Sequence, residues 1–259
     1  MTEELLYETR GEIGWITFNR PRQRNALTFA MYEGLAEICS RVGRTKEAKA
    51  LVITGAGDKA FAAGTDIAQF QDFKGGEDGI AYERKMDRNL DAIERCAVPT
   101  IAAIAGFCTG GGAAIAAVCD LRVAAANAQF GFPIARTLGN CLSMANYARL
   151  AALIGPQRVK EMILLARMID APAALEVGLV SELLPDAAAL HARAEELART
   201  VAGHAPITLQ VTKEALRRLQ ARLGEENIDD LIKLAYGSAD FREGMAAFLG
   251  KRAPKWTGA

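Results

Sequence analysis

Two glycine-bearing segments carry most of the chemistry available to this sequence. One is Gly106-Phe107-Cys108-Thr109-Gly110-Gly111-Gly112-Ala113-Ala114-Ile115, and the other, about forty residues earlier, is Ala62-Ala63-Gly64-Thr65-Asp66-Ile67. Each follows an apolar run and brings glycine-permitted backbone to the start of a helix. Two main-chain N–H groups aimed at one point can hold the negative oxygen of a thioester enolate, each donor contributing about 3–4 kcal/mol. Gly110-Gly111-Gly112 opens a helix, so unpaired first-turn amides and the positive end of the helix dipole face the same spot. Taken alone, three glycines serve tight helix–strand packing equally well.

Other chemistries are poorly supplied. The chain has two histidines, His191 on a charged helix face and His204 in a Gly-His-Ala-Pro loop, which leaves no basis for a Ser-His-Asp triad or a histidine metal site. The five cysteines, Cys39, Cys96, Cys108, Cys119 and Cys141, are scattered in mostly apolar surroundings and lack metal-ligand spacing. They read as reduced thiols of a cytoplasmic protein. No metal and no cofactor is expected. A Rossmann dinucleotide site fails for want of a Gly-x-Gly-x-x-Gly turn followed by a suitably spaced acid.

Composition narrows the partners. The 259 residues carry 31 Lys+Arg against 31 Asp+Glu, so the formal net charge is zero and no nucleic-acid partner is indicated. The N-terminal Met-Thr-Glu-Glu-Leu-Leu lacks a basic then apolar leader, so no signal peptide is expected. The longest apolar stretch, residues 99–118, is interrupted by Gly106, Thr109 and the glycine triplet, which argues against a membrane span.

The elements that must hold the two segments follow from hydrophobic spacing. Strands are predicted at 5–9 and 13–19, a helix at 28–42 with Thr28 as N-cap, and a buried strand at 50–54. A charged amphipathic helix over 82–95 turns Met86, Leu90 and Ile93 inward, which puts Glu83 and Asp87 on its polar, solvated face. Residues 100–105 form a strand apolar on both faces, and 111–119 form a small-residue helix that packs closely. Extended structure returns at 121–125 and 128–130. From residue 143 the pattern is helical, broken at 179–184, with helices at 187–202, 206–223 and 228–249. The polar run 73–79 reads as a mobile hinge beside the first segment. The fold class is α/β, with a core over 1–200 and a helical lid or oligomerisation region over 201–259.

The two segments resemble the oxyanion-hole motifs of the crotonase family, the enoyl-CoA hydratases and isomerases, and the likeness extends over nearly the whole chain. Asn19-Arg20-Pro21-Arg22-Gln23-Arg24-Asn25-Ala26-Leu27, Cys119-Asp120-Leu121-Arg122, Ala128-Gln129-Phe130-Gly131, Gly178-Leu179-Val180 and the run from Phe241 to Arg252 match further family segments. The resemblance implies a ββα spiral core, an acyl-CoA thioester as substrate, and a homotrimer or dimer of trimers. It implies that the Thr65 and Gly111 amides stabilise the enolate, and that Ala62, Gly64, Asp66 and Ile67 shape the acyl-CoA site, Asp66 by capping the following helix. Arg22 and Arg24 would lie near the CoA nucleotide, where guanidinium suits phosphate. Phe248 and Lys251 would contact the CoA of a neighbouring subunit.

The sequence departs from a hydratase where the chemistry needs it most. A hydratase uses one carboxylate to activate water and a second to protonate the α-carbon; the matching positions here are Ala114 and, by the simplest alignment, Ile134. The segment 136–143 is longer than its hydratase counterpart, and its Gly139-Asn140-Cys141 resembles the Gly-Asn-Asp of the family's chlorobenzoyl-CoA dehalogenases. That makes Cys141 a candidate nucleophile or acid/base, with Arg136 stabilising a thiolate or binding a substrate carboxylate; Cys141 also reads as a small buried hydrophobe. Tyr82 and Tyr147 are further hydroxyl candidates. The expected activity is therefore enolate chemistry of the hydratase/isomerase type with a non-standard or absent acid/base. The alternative is a catalytically silent acyl-CoA binder.

Overall fold

The computed structural model describes residues 3–258. An antiparallel hairpin of β1 (Leu5–Arg10) and β2 (Ile13–Phe18) leads through a 3-10 turn at Pro21–Gln23 into α1 (Phe29–Thr45). Three turns of a strand–strand–helix spiral follow. They are β3 (Ala50–Gly55), β4 (Ala60–Ala62) and α2 (Gly76–Glu94); β5 (Thr100–Ile104), β6 (Phe107–Thr109) and α3 (Gly111–Val118); and β7 (Leu121–Ala125), β8 (Gln129–Gly131) and α4 (Ile134–Thr137). Then come α5 (Met144–Ile154), α6 (Pro156–Leu164), β9 (Ile169–Asp170), α7 (Ala171–Glu176), β10 (Glu182–Leu184), α8 (Ala187–Ala202), α9 (Pro206–Ala221), α10 (Asp229–Gly237) and α11 (Ala239–Leu249).

The first strand of each spiral turn joins a six-stranded sheet ordered β1-β2-β3-β5-β7-β10. The second joins a four-stranded sheet ordered β4-β6-β8-β9. Strands β2, β3, β5, β7 and β10 run parallel, as do β4, β6 and β8. Alternation along the strands sends Leu51, Ile53, Ala102 and Ile104 to the face covered by α1 to α3. Ala50, Val52, Ile101 and Ala103 face Leu190, Ala194 and Ala198 of α8. Cover on both faces explains why β3 and β5 read as unbroken apolar runs.

Most predicted elements lie within a few residues of those observed, and Thr28 caps α1 by accepting from the Met31 amide at 3.4 Å. Two differ for clear reasons. Of the stretch read as a hinge at 73–79, residues 76–79 supply the first turn of α2, because α10 packs across their glycines; a Cβ on Gly79 would lie 2.3 Å from the Tyr236 ring. The long helix expected over 228–249 breaks at Ser238, whose hydroxyl accepts from the Phe241 amide at 2.9 Å and starts α11. The break lets Ile232, Tyr236 and Phe241 join Phe70, Ile80 and Leu138 in a separate apolar cluster. The C-terminal helices α10 and α11 are thereby held against this chain's own α2 and the 3-10 turn Ile67–Phe70. Among the described residues no helix is long and apolar enough to cross a membrane.

Gly79→Ala should overpack the α2–α10 contact and cost about 1–3 kcal/mol. Gly75→Ala, whose Cβ would meet nothing within 4 Å, should be close to neutral. Paired urea unfolding curves check this, and equal stabilities for the two variants would contradict the packing described.

Candidate active site

The two glycine segments meet because β4 and β6 are neighbours in the second sheet, pairing Ala60 with Phe107 and Ala62 with Cys108. Both chains then turn through left-handed glycines, Gly64 at φ +98° and Gly110 at φ +51°, a region that costs a side-chain-bearing residue energy. A Cβ on Gly64 would lie 4.0 Å from the Gly110 Cα, so bare backbone faces bare backbone. Several nearby amides are occupied. Ala63 N–H donates to Arg24 O at 3.1 Å, Asp66 to Leu27 O at 2.8 Å, Gly110 to Gly131 O at 3.0 Å and Ala114 to Gly110 O at 2.9 Å. The Thr65 and Gly111 N–H groups have no such partner among the described residues. Both residues line one cavity of about 180 Å³.

Three hydroxyls sit beside these amides. Thr65 Oγ1 lies 2.9 Å from the Tyr32 hydroxyl and 3.0 Å from that of Tyr82. The Tyr32 oxygen stands 1.7 Å from where a Cβ on Gly111 would be, so a residue with a side chain there would displace it. Burial pushes both tyrosines above the usual phenol range, which keeps them neutral. Sequence reading raised Tyr82 but passed over Tyr32, which shares the buried face of α1 with Met31 and Leu35 and gives no sign of its polar tip.

Ala114 and Ile134 also line the cavity and bring no carboxylate to it. One carboxyl does reach the lining, that of Glu83. The residue is only 4% exposed, against the solvated face expected for it. One oxygen accepts from the Tyr236 hydroxyl at 2.5 Å and the other from the Ser143 amide at 3.0 Å. Asn140 donates to the Tyr236 oxygen at 3.2 Å. Burial pushes Glu83 up from 4.5 to about 8; the Tyr236 hydrogen bond opposes the rise, nearby Asp87 adds to it, and the Ser143 amide opposes it. The signal was present in the sequence, since 83, 86, 90 and 93 continue the inner stripe of α2 by one step. Charge type hid it. Asp87 is half-buried, bonded to the Ser143 hydroxyl at 2.7 Å and facing Arg149 at 3.7 Å.

The remaining candidates distribute unevenly. Ile67 lines the cavity, and Ala62 lies beneath Gly112, whose Cβ would stand 2.3 Å from the Ala62 carbonyl. Asp66 accepts from the Ala68 amide at 3.1 Å and pairs with Arg20 at 2.8 Å, a capping and anchoring role. Arg22 and Arg24 are exposed on the turn before α1, the Arg24 guanidinium 5.0 Å from the Phe107 ring centroid. Phe248, 52% exposed, lines the cavity of its own chain. Lys251 follows it in an exposed turn, its amide bonded to Phe248 O at 3.2 Å. Cys141 and Arg136 do not line the cavity. The Cys141 thiol is half-buried near the aromatic cluster and pushed up to about 12, first by burial and then by Glu83, and Arg136 is exposed. No group of three or more potential metal ligands forms among the described residues.

Comparison with known proteins places the whole chain. Residues 8–259 match the family described as enoyl-CoA hydratase/isomerase. A short-chain-enoyl-CoA hydratase from Clostridium acetobutylicum is 31% identical over 256 residues, covering 96% of this chain and 95% of the relative. A probable enoyl-CoA hydratase from Mycobacterium bovis is 34% identical over 258 residues, covering 98% of each. Among solved structures, a methylmalonyl-CoA decarboxylase in complex with 2-nitronate-propionyl-CoA matches over 100% of both chains, with a TM-score of 0.89 and 27% identity.

The Glu83 environment should be visible in stability. A carboxyl whose folded pKa is raised from 4.5 to about 8 favours folding fully below 4.5, and that contribution is lost as pH rises toward 8. Unfolding free energy measured across pH 5–8 should therefore fall less steeply in Glu83→Gln than in the parent. Equal slopes would contradict the burial of this carboxyl.

Proposed function

The chain belongs to the enoyl-CoA hydratase/isomerase family, and we propose that within it the protein binds an acyl-CoA thioester and moves protons on its acyl carbons through an enolate. The observation that carries this reading is the pair of unpartnered amides, Thr65 and Gly111, on one cavity. Negative charge developing on the thioester oxygen meets two fixed donors that need no reorganisation at the moment of reaction. Water addition needs a base for water and an acid for the α-carbon, and the cavity lining carries one carboxyl. Proton relocation needs only one group that takes and returns a proton, so isomerisation fits the site better than hydration.

A second reading is decarboxylation of a 2-carboxyacyl-CoA. It also passes through an enolate, and it is favoured by the likeness to the decarboxylase structure over the full chain. In both readings the CoA thioester is the substrate and no further cofactor is needed. Arg22 and Arg24, exposed beside the first glycine segment, would meet the CoA phosphates. A homotrimer or dimer of trimers is supported by α9, which buries none of its residues and leaves Ile207, Val211, Leu216 and Leu219 exposed.

Mass-spectrometric turnover of a mixed acyl-CoA panel in deuterated water tests the reading. Deuterium entering the acyl carbons of enoyl-CoA without net addition of water is the expected result. Loss of CO2 from carboxyacyl thioesters would move the second reading forward. Binding without exchange or turnover would leave a silent acyl-CoA binder.

A further inference from the structure

We infer that Glu83 is the catalytic acid/base of this chain, shuttling one proton between two acyl carbons, and that Tyr236 of α10 is its positioning residue. The inference rests on the acyl-CoA reading above and assigns the group that reading requires.

The geometry points to Glu83 by what surrounds it and by what its rivals lack. It shares the cavity with the Thr65 and Gly111 amides, while Asp87, one turn along α2, does not line it and is engaged by Ser143 and Arg149. The Tyr32 and Tyr82 hydroxyls are held to Thr65. Each Glu83 oxygen is anchored by a single hydrogen bond, and a carboxylate oxygen can accept more than one. Its rotamer is thus fixed while lone-pair capacity remains for a substrate proton. Asn140 donates to the Tyr236 oxygen, so the Tyr236 proton is directed to Glu83. The same contact makes α10 part of the site, since Tyr236 reaches α2 only because Gly79 has no side chain.

The step balances without a co-reactant. With a 3-enoyl thioester, the Glu83 carboxylate takes a proton from the α-carbon. The C–H electron pair delocalises onto the thioester oxygen, where the two amides hold it. Protonated Glu83 then delivers the proton to the γ-carbon, the electrons return from oxygen, and the double bond comes to rest between the α and β carbons. Glu83 ends as it began.

The ionisable groups facing Glu83 are Tyr82 and Asp87 on its own helix, Tyr32 on α1, Cys141 and Tyr147 around the start of α5, and Tyr236 on α10, with Arg149 beyond Asp87. A base held at about 8 should give kcat/KM that rises with pH through that region. Tyr236 stabilises the carboxylate, so Tyr236→Phe should move this rise to higher pH and lower kcat at neutral pH while KM stays near the parent value.

The test compares the parent, Glu83→Gln and Tyr236→Phe for acyl-CoA binding, thermal unfolding and isomerisation of a 3-enoyl-CoA in deuterated water. Glu83→Gln should bind the thioester normally and lose about 10²- to 10⁴-fold in kcat/KM, the range for a general acid/base. Turnover in Glu83→Gln within about threefold of the parent would overturn the assignment and leave the acyl-CoA reading standing. Should Glu83→Gln fail to fold, an unshifted pH profile in Tyr236→Phe would overturn it equally. A parent that binds no thioester would instead remove the acyl-CoA reading itself, and the assignment with it.

Discussion

The site depends on one close approach of backbone to backbone. Adjacent parallel strands β4 and β6 end together, and the chains leaving them turn through Gly64 and Gly110 with no side chain between. The approach leaves the Thr65 and Gly111 amides beside one cavity, while the Ala63, Asp66 and Gly110 amides are taken up by Arg24, Leu27 and Gly131 carbonyls. Gly112 holds α3 directly on the Ala62 carbonyl, and a helix start so placed adds its dipole to the same point. Parallel strands put such loops at their carboxyl ends as a matter of topology, which is where open α/β sheets bind ligands. The two-sheet spiral is therefore the means by which distant glycines come to flank one cavity, the arrangement that the proposed donor pair requires.

A second constraint lies in the aromatic packing around Glu83. The aromatic cluster of Phe70, Phe73, Tyr82, Tyr236 and Phe241 joins the C-terminal helices to α2 through ring contacts of 4.8–6.5 Å. That cluster excludes water from the Glu83 carboxyl, and desolvation is the largest influence on its protonation. A carboxyl that exchanges its proton near neutral pH suits transfer to and from carbon better than one fully ionised. On the proposed reading the C-terminal helices bear on chemistry as well as on packing, through the one hydroxyl by which α10 reaches α2, some 150 positions apart in the chain.

The fold was largely legible because hydrophobic period and glycine placement are local signals. The strands at 50–55 and 100–104, the cap at Thr28 and the small-residue helix after Gly110 all follow from neighbours in sequence. The start of α2 was not legible, since it is decided by how α10 packs across Gly79, a contact remote in the chain; the break at Ser238 had a local signal, its serine cap, which the continuous apolar spacing over 228–249 masked. At the site, the two glycine segments do meet on one cavity. Cys141 and Arg136 drew notice by alignment with family loops, yet neither lines the cavity. Glu83 reads by default as solvated, because a charged residue on an amphipathic helix usually is, although its register with Met86, Leu90 and Ile93 places it inward. Register outweighed residue type there because Tyr236 and the Ser143 amide were waiting to satisfy the carboxylate.

The proposed function requires the Thr65 and Gly111 amides to polarise a thioester carbonyl. Isotope-edited infrared spectroscopy of an acyl-CoA carrying a 13C-labelled carbonyl, free and bound to the parent protein, addresses it without any substitution. Two donors on the oxygen should lower the bound carbonyl stretch below its value in water. A stretch at or above the aqueous value would mean that the amides do not engage the thioester and that enolate chemistry has no donor pair here.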